Sequence, residues 1–160
     1  MKIRLKHARN QERSQQGYTL VELLTTLVLL SLFFAMTVPS LKRLFQHHEL
    51  DASARQFVSA VRGSQMAAWS HGEVQELWLY RFKPQYQRLI NGQNAGVVKM
   101  PDSLQYQSGF LEAGSSVFRF DQNGTPTGSG QVRLVNRLRE GADINILMFS
   151  GTVTYEGVHP

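Results

Sequence analysis

Gln15-Gln16-Gly17-Tyr18-Thr19-Leu20-Val21-Glu22-Leu23-Leu24 opens a stretch that, after Glu22, carries no Asp, Glu, Lys or Arg until Lys42. The residues in between are mostly Leu, Val, Phe and Thr, with no polar face wide enough for a soluble amphipathic helix. At about 1.5 Å rise per residue, Tyr18–Val38 would span roughly 31 Å as a helix. The hydrocarbon core of a bilayer is about 30 Å thick. A buried core helix this long would be unusual in a domain this small. The stretch 18–41 therefore predicts a membrane-spanning helix.

Outward from this block, the charge is uneven. The chain has 160 residues and a formal net charge of +5. Of its 17 basic residues, Lys2, Arg4, Lys6, Arg9 and Arg13 lie in 1–17, with Glu12 the one acid there; 12 basic and 11 acidic residues remain. The basicity belongs to the leader, where it reads as a cytoplasmic anchor under the positive-inside rule. It is weak support for a nucleic-acid-binding face on the rest. The absence of cysteine excludes a disulfide framework, thiolate metal sites and a Cys nucleophile. Beyond the apolar block, roughly 120 residues are enough to bury a core of their own.

A secretory signal peptide is the competing reading of 1–41, with a similar basic and apolar order. The apolar run exceeds the usual h-region of about 7–15 residues. Ala35-Met36-Thr37-Val38-Pro39 is also a poor small-x-small cleavage site. Glu22 is a third objection, because a carboxylate in hydrocarbon costs about 2.5–3.5 kcal/mol on insertion scales. The plain structural explanation of Glu22 is a capping box. In Thr19-x-x-Glu22 the carboxylate would reach back to the backbone N–H of Thr19. It would also sit near the positive end of the helix dipole.

Taken with its flanks, the segment resembles the processing site of type IV prepilins and pseudopilins: a short basic leader, Gly17, an aromatic residue, Thr19-Leu20, Glu22, then a long apolar run. The resemblance implies cleavage by a prepilin peptidase after Gly17 and N-methylation of the new terminus, Tyr18. The family prefers Phe there; Tyr18 keeps the aromatic ring. It also implies that Glu22 pairs with the terminal ammonium of a neighbouring subunit inside a filament. Opposite charges make a carboxylate tolerable in an apolar bundle. Pro39 matches the family's proline within the helix, and lacking a donor it should kink or loosen the helix there. Its alternative meaning is the end of the span.

Past Lys42 and Arg43 the helix is expected to continue over 42–71. Leu50, Ala54, Phe57, Val58, Val61 and Ala68 recur at three- to four-residue spacing, with Asp51, Arg55 and Arg62 mostly off that stripe. Gly63 costs up to about 1 kcal/mol against Ala in a helix, which close packing on a sheet would explain. Ser70-His71-Gly72 should end the helix, with Gly as its cap. The period then changes. Val74–Phe82, Tyr86–Ile90, Val97–Met100, Leu104–Gln107, Val117–Asp121, Gln131–Val135, Ile144–Phe149 and Thr152–Tyr155 read as short strands, with Ser150-Gly151 as a tight hairpin turn. With no helix between them, they predict an antiparallel sheet over 72–160. The fold class is thus α+β: a long N-terminal helix, membrane-spanning in its first half, packed on an antiparallel β-sheet. This is the pilin architecture. Phe118-Arg119-Phe120-Asp121-Gln122-Asn123-Gly124-Thr125-Pro126 and Phe149-Ser150-Gly151-Thr152-Val153 are similar to the GspH-type pseudopilin domain, nearest to the ComGD-type minor pilin of competence pili. Thr152 departs from the basic residue frequent there.

No catalytic constellation stands out. His47 and His48 are adjacent and project about 100° apart on a helix, whereas a chelating pair sits at i and i+4; they read as solvated. The Gly-rich run Gly124–Gly130 lacks a Lys and opens onto a strand, unlike a phosphate loop. No cofactor, metal site or enzymatic activity is expected. Arg133, Arg137 and Arg139 form a basic cluster with Glu140 and Asp143 beside it. A solvated loop is preferred there over a DNA contact. The expected protein is a single-pass membrane minor pilin or pseudopilin, its C-terminal domain outside the cytoplasm, joining a filament for competence and DNA uptake. Its expected partners are a prepilin peptidase and other pilins. A GspH-like secretion pseudopilin, or a membrane-anchored binding domain that never assembles, are the alternatives.

Overall fold

The structure, a computed structural model, describes residues 18–80, 83–107, 116–147 and 150–160, with the Pro39 side chain set aside. Gly17, the expected cleavage residue, lies outside the described residues. The chain divides into two compact units, Met1–Pro39 and Ser40–Pro160. One helix, α1 (Leu20–His71), contributes to both.

In the first unit every described side chain of α1 is exposed. The segment is long and apolar enough to cross a membrane. The backbone stays helical through Pro39, so the proline does not end the helix. With no N–H to donate, it leaves the Ala35 carbonyl without its intrahelical partner.

In the second unit, α1 carries the expected stripe inward. Leu50, Ala54, Phe57, Val58, Val61 and Ala68 are all buried. The helix ends at His71. Gly72, at φ +66°, donates its N–H to the Ala68 carbonyl, a left-handed cap that suits glycine. His71 Nδ1 lies 3.1 Å from the Ala67 carbonyl, one of the helix's terminal acceptors.

The strands are β1 (Gln75–Leu79), β2 (Gln85–Ile90), β3 (Gln93–Lys99), β4 (Gln105–Gln107), β5 (Val117–Phe120), β6 (Gly130–Val135), β7 (Gly141–Ile146) and β8 (Val153–His159). Every pairing is antiparallel, as expected. They are divided between two four-stranded sheets, ordered β3-β2-β1-β5 and β4-β6-β7-β8, where the sequence suggested one. The first sheet closes when β5 returns beside β1, with Leu77 opposite Phe118. A pairing between residues some forty apart leaves no local trace. Period-two alternation buries Leu77, Phe118 and Phe120 from one sheet and Val132, Leu134, Ile144 and Ile146 from the other. Phe57 joins them to the helix, edge-on to Tyr86 at 5.3 Å and to Phe118 at 6.2 Å between ring centroids.

Several local expectations change. Strand β3 begins at Gln93, although Gln93-Asn94-Ala95-Gly96 has no strand signature, because Asn91 (φ 49°) and Gly92 (φ 77°) turn it back onto β2. Between β7 and β8, Leu147 N–H donates to the Thr152 carbonyl and Gly151 N–H to the Leu147 carbonyl, while 148–149, the end of the expected strand before Ser150-Gly151, lie outside the described residues. Among the described residues, nothing beyond the helix's own neighbouring backbone lies within 4 Å of where a Cβ on Gly63 would be, so close packing on the described sheets is not the reason for that glycine.

Candidate assembly site

The site is the start of α1. Tyr18 and Thr19 precede the helix, and the Thr19 carbonyl accepts the Leu23 N–H at 3.1 Å. Thr19 is therefore the N-cap. Its Oγ1 accepts the backbone N–H of Glu22 at 3.2 Å, satisfying one of the donors a helix start leaves free. This is the threonine half of a capping box. The glutamate half is not made: among the described residues, no hydrogen bond or ion pair joins the Glu22 carboxylate to the chain. Glu22 is exposed, one turn into an otherwise apolar segment.

The other polar side chains of that segment are self-contained. Thr25 donates to the Val21 carbonyl at 2.7 Å, Thr26 to Leu23 at 2.8 Å, Ser31 to Val28 at 2.7 Å and Thr37 to Phe33 at 2.8 Å. Hydroxyls bonded to the preceding turn bring little unmet polarity into hydrocarbon. Glu22 alone among them needs a partner from outside the described chain. Tyr18, four residues before it, is 83 % exposed, and Gly17 lies outside the described residues.

The second unit meets its own polar needs. The Tyr155 hydroxyl donates to Asp51 at 2.7 Å and Arg55 Nε donates to the other oxygen of Asp51 at 2.9 Å. The Arg55 and Tyr155 hydrogen bonds hold the Asp51 carboxyl below its ordinary value, while burial and the Asp51 hydrogen bond push the Tyr155 phenol up. His47 is half-buried and faces Glu140 at 3.4 Å, correcting its reading as a solvated helix residue. Asn136, buried in the β6–β7 turn, donates to that same carboxylate at 2.6 Å. Arg133 sits opposite Asp143 across β6 and β7, with 3.5 Å between Nε and Oδ1. The basic cluster is thus partly neutralised. None of these long-range partners had a signal in the sequence; only the off-stripe phase of Asp51 and Arg55 hinted at a second, polar set of contacts.

Comparison with known proteins bears on both units. Residues 13–38 match the family model of the prokaryotic N-terminal methylation motif. The fold is similar to that of the minor pseudopilin EpsH from the type 2 secretion system of Vibrio cholerae, with a TM-score of 0.58 and 12 % identity over 68 % of this chain and 97 % of that one. It is also similar to the type IV minor pilin FimU of Pseudomonas aeruginosa, with a TM-score of 0.52 and 15 % identity over 68 % of this chain and 89 % of that one. No curated protein matches the sequence. The fold is therefore the pilin fold, one long N-terminal helix packed on antiparallel sheets. It carries the methylation motif at its start.

Proposed function

We propose that this chain is a minor pilin or pseudopilin. A prepilin peptidase cuts after Gly17, the Tyr18 amine is N-methylated, and the mature chain joins a type IV pilus-like filament through its apolar helix. Before assembly the chain is a single-pass membrane protein with its C-terminal domain outside the cytoplasm, and its role is structural, not catalytic. The observation that carries this reading is Glu22: a carboxylate without a partner among the described residues, in a stretch where the hydroxyls of Thr25, Thr26, Ser31 and Thr37 bond to their own helix backbone. Cleavage creates an ammonium at Tyr18, and a neighbour's ammonium is the charge that Glu22 lacks. Pairing the two makes the insertion cost of each conditional on correct register. Co-expression with a prepilin peptidase, followed by mass spectrometry of the N-terminus, tests it. A chain that keeps its first 17 residues would remove the main support.

For the system served, we infer competence and DNA uptake, on the resemblance carried by residues 118–126 and 149–153. Secretion is the second reading, favoured by the fold's likeness to a type 2 secretion pseudopilin. A deletion strain assayed for transformation and for protein export separates them. Direct DNA binding is not part of the proposal, since Arg133 already faces Asp143. A salt-dependent binding assay on the chain would reverse that view if it bound DNA at low salt.

A further inference from the structure

The two tryptophans differ in a way that filament assembly does not explain. Trp78, on β1, is 43 % exposed and its indole N–H donates to Glu76 at 2.8 Å. Trp69, in the last turns of α1, is 67 % exposed, and among the described residues its N–H has no acceptor. Its phase on the helix, one residue past the buried Ala68, turns it outward. A large ring held in water, its N–H without a protein acceptor among the described residues, lacks the usual anchor of a buried or half-buried indole.

Trp69 also stands over a groove of about 510 Å³, within the size range of ligand sites. One wall is the helix, with Met66 beside Trp69. The other is made by two loops drawn tightly against it. Gly124 (φ +73°) lies so close that a Cβ there would come within 3.1 Å of Trp69 Cβ, and a Cβ on Gly151 (φ +62°) would overlap the Gln65 amide. Gln65 Nε2 donates to the Gly124 carbonyl at 3.2 Å, and Asp121 holds the first loop by accepting the N–H groups of Asn123 and Thr125 at 2.9 and 2.8 Å. The walls are thus fixed before any ligand arrives, which lowers the ordering cost of binding.

The lining selects a chemistry. Beside the indole it offers neutral amides and hydroxyls, from Gln65, Asn123, Ser150 and Thr152, and among the described residues no carboxylate. Among the described residues its one cation is Arg62, which already donates to the Val153 carbonyl at 2.9 Å. A polyanion such as single-stranded DNA needs several phosphate-neutralising cations, and this groove does not supply them. A sugar ring has an apolar C–H face to lay on an indole and a rim of hydroxyl or amide groups to pair with neutral donors and acceptors. We propose that the Trp69 groove binds a glycan strand of uncharged, amide-bearing hexoses, Trp69 stacking on one ring and Asn123 and Thr152 meeting its polar rim. This does not depend on the filament reading, since it concerns a surface of the second unit alone.

Isothermal titration of the full chain in detergent micelles with a β-1,4-linked N-acetylglucosamine hexamer tests it. Saturable binding is expected. Trp69→Ala should weaken it by about tenfold or more, the loss that follows removal of one stacked ring. Trp69→Phe should recover most of the affinity, and Trp78→Phe should leave it unchanged. Far-UV circular dichroism checks that each variant is folded. Absence of saturable binding by the folded wild type overturns the proposal. So does equal binding by Trp69→Ala, or binding of an oligothymidylate in place of the sugar.

Discussion

The stretches of α1 on either side of Pro39 belong to one continuous helix and obey opposite rules. Over 20–38 every side chain is exposed, the hydroxyls bond to their own backbone, and the one acidic side chain has no partner among the described residues. Over 46–71 one face is buried; the side chains of His47, Glu49, Asp51, Arg62 and Gln65 all reach strands or loops of the same chain, and the Gln46 carbonyl accepts from the Asn136 amide. The second stretch is completed by its own domain. The first leaves its apolar surface and Glu22 without partners among the described residues, and under the proposed function lipid and a neighbour's ammonium supply them. On the proposed function, one helix serves as a core element and an assembly element at once, with the division set by where its polar groups find partners.

The sharpest way to break this contrast is Glu22→Ala. Incorporation into filaments, measured in sheared fractions, should fall to background, while the unfolding midpoint of the chain stays unchanged because no hydrogen bond or ion pair joins the Glu22 carboxylate to the described residues. A shifted midpoint would mean the two stretches are not independent. Phe57→Ala should do the reverse. It leaves N-terminal cleavage intact and destabilises the domain by about 3–5 kcal/mol in a denaturant titration, the range for truncating a buried phenylalanine.

Smaller effects come from the polar network. Tyr155→Phe removes the donor to Asp51 and should cost about 0.5–1.5 kcal/mol. The pH dependence has a definite sign. The Asp51 carboxyl is depressed in the folded chain, so its contribution is fully present above the ordinary aspartate value. It is lost as the pH falls through the lower folded value. Wild type and Asp51→Asn should therefore converge in unfolding midpoint on acidification below 3.8, the ordinary value, and diverge above it. Smallest of all, Gly63→Ala should stabilise the helix by about 0.5–1 kcal/mol, since nothing among the described residues occupies the space its methyl would take. Thermal unfolding measures it.

Much of this was legible beforehand, for reasons that differ by region. The stripe from Leu50 to Ala68 is a property of consecutive residues on a 3.6-residue repeat, and all six of its members are buried. Most strands showed through β-branched and aromatic alternation. Gln93–Gly96 did not, because its pairing is imposed by the turn before it. Gly63 misled, because a glycine in a helix signals close approach only when something approaches. At the candidate site, Thr19 and Glu22 were correctly placed on one turn, but the sequence could not tell a closed capping box from a free carboxylate. That depends on a side-chain rotamer. Trp69 drew no notice in the sequence, since an outward phase alone does not announce a groove built from loops over fifty residues away.

By itself the sequence determined the apolar span, the place of Glu22 within it, the buried face of the helix and the order of most strands. These rest on period, length and charge along neighbouring residues. Only the tertiary structure decided that the strands form two sheets, that His47 meets Glu140 across 93 residues and Tyr155 meets Asp51 across 104, and that Glu22 is left without a partner among the described residues. Contacts between distant residues are selected by the packing of the whole domain. Whether a charge is met depends on everything folded around it.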